Sequence, residues 1–156
     1  MTVEQAFWRE TMVAEGKTHG EIAAAFIRRY ELRPRTAFRL AHGWTLLAAV
    51  ARINSYARRI GLATDGRPVM RVIRLWEIEH LPYVNRAARL TAYNVALLAA
   101  VYRTNVRDLI DDADRDHMRP GEWFLIGFVG DMRTPTTAGA RPDRRAPTTR
   151  PSRTTR

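Results

Sequence analysis

Apolar residues recur at three- and four-residue spacing over most of the first 130 positions, and that period predicts a succession of short α-helices. From Val3 to Glu15 it brings Ala6, Phe7, Met12 and Val13 toward one face, and Gly16 ends the run. Thr18-His19-Gly20-Glu21 has the form of a capping box, in which hydroxyl and carboxylate satisfy the first free amides of a helix. That helix carries Ile22, Ala25, Phe26 and Arg29 and breaks at Leu32-Arg33-Pro34, where Pro34 opens the next one at its first turn. Ala37, Phe38, Leu40 and Ala41 follow, and Gly43 closes the segment.

Thr45 caps a further helix with Leu46, Ala49, Val50, Ile53 and Tyr56 at apolar positions. Asp65-Gly66 and Pro68 mark Gly61–Pro68 as a loop. Leu75, Trp76 and Ile78 belong to a short helix closed by Pro82. Thr91 caps an apolar helix through Val95, Leu98 and Val101, and Val106, Leu109 and Ile110 form a last turn. Gly121–Val129 suits a short helix or a strand; no other stretch alternates with a strand's period of two, and the predicted class is all-α.

Charge adds a second layer. The chain has 26 basic and 16 acidic residues, and Lys17 is the only lysine. Residues 133–156 hold seven arginines against Asp143 alone, a net of +6, which leaves residues 1–132 mildly basic at +4. After Met132 no aliphatic side chain exceeds alanine, so this Arg/Pro/Thr-rich tail is expected to be disordered and to attract phosphate without regard to sequence.

Several chemistries are disfavoured. The absence of cysteine removes disulfides and thiolate metal sites. Gly16-Lys17-Thr18 has Thr11 where a phosphate loop needs its first glycine. Asp112, Asp114 and Asp116 alternate like calcium ligands, but His117 replaces the turn glycine and Trp123 the closing acid; a solvated acidic helix end is expected. His19, His42, His80 and His117 fall on separate elements as surface or capping residues, and Ser55 and Ser152 are the only serines. No catalytic residue, metal or cofactor is predicted, and the chain does not read as an enzyme. No apolar stretch reaches a membrane span's length, and Glu4 and Glu10 disfavour a signal peptide, so a cytoplasmic protein is expected.

Five short helices between Pro34 and Asp111 are the most informative arrangement. Tyr30-Glu31-Leu32-Arg33-Pro34-Arg35, Ala41-His42-Gly43-Trp44-Thr45, Arg52-Ile53-Asn54, Leu75-Trp76-Glu77-Ile78-Glu79 and Leu97-Leu98-Ala99-Ala100-Val101-Tyr102 follow in fixed order. In these words the chain resembles the lambda-repressor-like (XRE/Cro) helix-turn-helix regulators, in their arginine-rich, actinobacterial branch, over about residues 30–118. The resemblance implies a five-helix DNA-binding unit and a homodimer acting on double-stranded DNA as a transcriptional regulator, associated with the nucleoid. With the helix-turn-helix domain at 34–118, the remaining pattern divides the chain into an N-terminal helical extension at 1–33, an apolar segment at 119–132 and the basic tail at 133–156.

Residue by residue, the resemblance implies that Thr45 caps the second helix and touches phosphate. Leu75 and Ile78 take buried positions of the recognition helix, and Glu79 is its structural glutamate. Arg71 stands at the family's Ser/Thr cap, and Val72, Ile73 and Glu77 at positions that reach base edges. Arg71, Arg74, Arg86 and Arg89 would lie near phosphates, fixing register. The chain departs from the pattern at Leu46, where a glutamine commonly holds the backbone, at Leu81, where a glycine often ends the reader helix, and in the Gly61–Pro68 insertion.

Gly20–Arg39 has a fainter second helix-turn-helix outline, for which a helical hairpin packed on the main unit is preferred; Phe7, Trp8, Phe26 and Tyr30 would then extend the core or form a dimer face. The alternative function is a protein-interaction module of the same fold that has lost operator reading and whose tail binds nucleic acid non-specifically. Leu46, Val72, Ile73 and Trp76 motivate it, because an apolar reader face suits a protein partner.

Overall fold

The computed structural model describes residues 1–63, 65–82 and 90–132, which are helical with no strand among them. The order is α1 (Val3–Ala14), α2 (His19–Tyr30), α3 (Pro34–Ala41), α4 (Leu46–Arg59), α5 (Val72–His80) and α6 (Ala92–Tyr102). A 3-10 turn (Val106–Leu109), α7 (Asp112–His117) and α8 (Pro120–Met132) complete it. Arg86, Arg89 and the tail at 133–156 lie outside the described residues.

Local chemistry sets the boundaries. Thr18 and Glu21 form the reciprocal capping box at α2, and the Thr45 and Thr91 hydroxyls accept from Ala48 and Asn94 amides at 3.1 and 3.2 Å. Each such cap contributes about 1 kcal/mol. Pro34 opens α3, where its missing amide costs nothing. One core joins Ile22, Ala23 and Phe26 of α2 to Phe38 and Leu40 of α3, Ile53 of α4, Leu75 and Ile78 of α5, and Val95 and Leu98 of α6.

α1 departs from the expected pattern. Only Gln5 is buried on it, while Phe7 and Val13 are 64% and 46% exposed. Met12 alone of its large apolar residues packs half-buried against the core, and polar contacts add to it: Arg9 Nε donates to the Ala41 carbonyl at 2.9 Å, and Glu4 accepts from Arg29 and Tyr30 at 3.0 and 3.1 Å. The Arg9 guanidinium lies so close to Gly43 that a Cβ there would sit 2.8 Å from Arg9 Cζ, and Gly43 also has φ +72°. The expected apolar face is thus divided, with Ala6 and Met12 half-buried and Phe7 and Val13 toward solvent. Gly121–Val129 resolves as part of helix α8, which buries Ile126 and leaves Phe124 and Phe128 exposed.

The acidic run is a second correction. Asp112 and Asp116 are solvated, but Asp114 is only 2% exposed. The cause is α3, which buries two arginines one turn apart, Arg35 and Arg39. Arg35 places all five of its N–H donors: two on Asp114, and one each on the carbonyls of Ile78, Leu81 and Leu109. Four residues after Ile78 stands Pro82, which has no amide to offer that carbonyl, so Arg35 satisfies a group the helix cannot.

Candidate nucleic-acid interface

α5 is fixed at both ends. Before its first turn, the Asn54 carboxamide on α4 clamps Met70: Nδ2 donates to the Met70 carbonyl at 2.9 Å, and Oδ1 accepts its amide at 3.0 Å. At the other end Glu79 is fully buried and takes a bidentate pair from Arg39, at 2.6 and 2.9 Å. The same guanidinium donates through Nη1 to the Trp44 carbonyl at 2.9 Å, next to Thr45 at the start of α4. One side chain of α3 thus ties the start of α4 to the last turn of α5.

Leu75 and Ile78 face the core at 0% exposure, so the opposite side of α5 is presented outward. Val72, Ile73 and Trp76 are 39%, 62% and 38% exposed. Trp76 stacks on His80 with ring centroids 4.7 Å apart, which stiffens that edge. Arg71 is the residue before the helix; it is exposed, makes no capping hydrogen bond and has no ion-pair partner among the described residues.

Arg74 and Glu77 are partly committed to each other, with Arg74 Nη1 donating to Glu77 Oε2 at 3.1 Å. Thr45 is exposed, and while its oxygen accepts the Ala48 amide its hydroxyl proton is still free to donate outward. Arg71, Val72, Ile73, Arg74 and Glu77 therefore lie on and beside one helix, with Thr45 on the element clamped to it. Leu46 is half-buried against the core, unlike the three apolar residues of α5.

Asn54, Arg39 and Arg35 position α5, although no local motif marks them as site residues. One signal was available, in Pro82 four places after Ile78, a spacing that strands a carbonyl at the helix end. No Asp, Glu or His cluster with metal-binding geometry occurs among the described residues. No helix among them is long and apolar enough to cross a membrane. Compared with protein-family models, curated proteins and solved structures, the chain matches none.

Proposed function

We propose that the protein is a sequence-specific DNA-binding transcriptional regulator, built as a repressor-like helix-turn-helix unit, that enters the major groove with α5. The observation that carries this reading is α5 itself: a short helix clamped at both ends, with Arg71 uncommitted at its outward N-terminal end. Thr45 donates its hydroxyl proton to a phosphate while capping α4. Val72 and Ile73 contact thymine methyls, and Glu77 accepts from a cytosine amine once Arg74 turns to phosphate. Arg86, Arg89 and the basic tail add phosphate attraction, and nucleoid association follows from it.

The protein acts as a homodimer in this reading. The exposed Phe124 and Phe128 on α8 support it, because an apolar surface of this kind is one a second copy would cover. Duplex binding followed by fluorescence anisotropy across a salt series tests the interface. Arg71→Ala should weaken binding and reduce the slope of log affinity against log salt by about one. An unchanged slope removes Arg71, and with it the proposed docking, from the interface.

The exposure of Val72, Ile73 and Trp76 favours one second reading, a protein-interaction module using the same face of α5. Under it, Ile73→Glu abolishes capture of a protein partner while duplex binding keeps only the salt-sensitive component.

A further inference from the structure

The flank of α4 away from α5 has a different chemistry. Arg52, Tyr56 and Arg59 recur along one face of the helix, whereas Asn54, which holds α5, lies about 200° around the axis from Arg52. That face forms one wall of a cleft of about 560 Å³, within the ~300–1,000 Å³ typical of small-molecule sites. The other walls come from α2 through His19, the α3–α4 turn through His42 and Trp44, and the end of α6 through Arg103.

Two features of the lining occur together. His19 stacks on His42 with centroids 3.8 Å apart, and His42 on Trp44 at 4.3 Å, giving three nearly parallel rings. The histidines, expected as separate surface or capping residues, are thus brought into contact by the packing of α2 on α3. His42 Nε2 donates to the Tyr102 carbonyl at 3.0 Å, which fixes its ring. Burial keeps both imidazoles below their usual range, with Arg103 adding to the effect, so the stack is neutral near pH 7.

The second feature is uncompensated positive charge. Arg52, Arg59 and Arg103 line the cleft with no acidic residue, and none has an ion-pair partner among the described residues. Arg52 lies over Trp44 at 4.6 Å and Arg59 over Tyr56 at 5.2 Å, so aromatic faces hold the guanidiniums in place. A neutral ring surface beside a cationic rim matches a ligand with the same division.

We propose that this cleft binds a small ligand joining a planar ring to a phosphate, of the mononucleotide class. The ring packs along the edge of the His19–His42–Trp44 stack, whose faces are taken up by one another and by Arg52, and Arg52, Arg59 and Arg103 bond the phosphate oxygens through their planar forks. The inference is independent of whether α5 reads DNA, because the cleft occupies the other flank of α4.

Isothermal titration of the full-length chain with AMP, GMP, CMP and UMP, beside adenosine and inorganic phosphate, tests it. At least one mononucleotide should bind tenfold or more tightly than either fragment, and quench Trp44 fluorescence relative to a Trp44→Phe variant. Arg52→Ala with Arg59→Ala should weaken that binding at least tenfold, whereas Arg28→Ala, on α2, should leave it unchanged. Circular dichroism checks the fold; if the double variant unfolds, Arg103→Asn decides, since asparagine tolerates the left-handed backbone at φ +56°. No binding of any mononucleotide at millimolar concentration, equal binding by the arginine variant, or binding of single-stranded oligonucleotides alone overturns the proposal.

Discussion

Arg35 and Asp114, 79 positions apart in the chain, form a bidentate ion pair at 2.6 and 3.0 Å with both side chains withdrawn from solvent. A buried pair of this kind is weak evidence of net stabilisation, because desolvating two charges offsets much of their attraction. Its consequence is positional: Arg35 also holds the Ile78 and Leu81 carbonyls, so α7 and the end of α5 are fixed to α3 through one guanidinium.

Removing one partner leaves the other charge buried and uncompensated. Asp114→Ala strands both Arg35 and part of the bonding of Arg33, and should cost about 3–5 kcal/mol in urea unfolding. A loss below about 1 kcal/mol, the scale of an exposed pair, would show that the site is open to water.

Arg39 and Glu79 give a sharper comparison, since Arg39 spans from the Trp44 carbonyl to α5. Glu79→Leu alone should destabilise by about 3 kcal/mol or more, while Arg39→Met with Glu79→Leu should recover most of that, because apolar substitutes carry no desolvation penalty. A double-mutant cycle measures the coupling. Additive losses would contradict the pairing.

His42 makes stability depend on pH. Burial lowers its pKa to about 4, opposed by the Tyr102 carbonyl and reinforced by His19, Arg103 and Arg52, against about 6.5 in the unfolded chain. Between those values the unfolded chain binds a proton that the folded chain does not. Stability is therefore retained above pH 6.5 and falls as pH drops toward 4, with a slope of at most about 1.4 kcal/mol per pH unit from this group. Thermal melts from pH 7 to 5 should show the decline, and His42→Gln should flatten it. An identical slope in the variant would assign the decline to other groups.

What could be read along the chain was local. The caps at Thr18, Thr45 and Thr91 act within three residues of themselves, and each stands where it was expected. The helical class and the inward positions of Leu75 and Ile78 follow from a 3.6-residue period that needs no distant partner. The burial of Asp114 is not legible in the sequence, because alternating acids look solvated until Arg33 and Arg35 are brought onto one of them by the fold. The His19–His42 stack and the Asn54 clamp are hidden for the same reason, since only tertiary packing brings them into contact. On α1 the helical spacing places Met12 on the core, yet Phe7 and Val13 of the same face stay exposed, because the long-range contacts of Arg9 and Glu4 also set how the helix docks.

Groove reading by α5 is tested by selection from a random duplex-DNA library with the full-length chain and its Arg71→Ala variant at ~150 mM salt, where purely electrostatic retention is suppressed. An enriched, two-fold symmetric motif is expected from the unaltered chain and is lost or degraded in the variant. Duplex retained without any enriched sequence, equally by both proteins, would contradict sequence reading by α5.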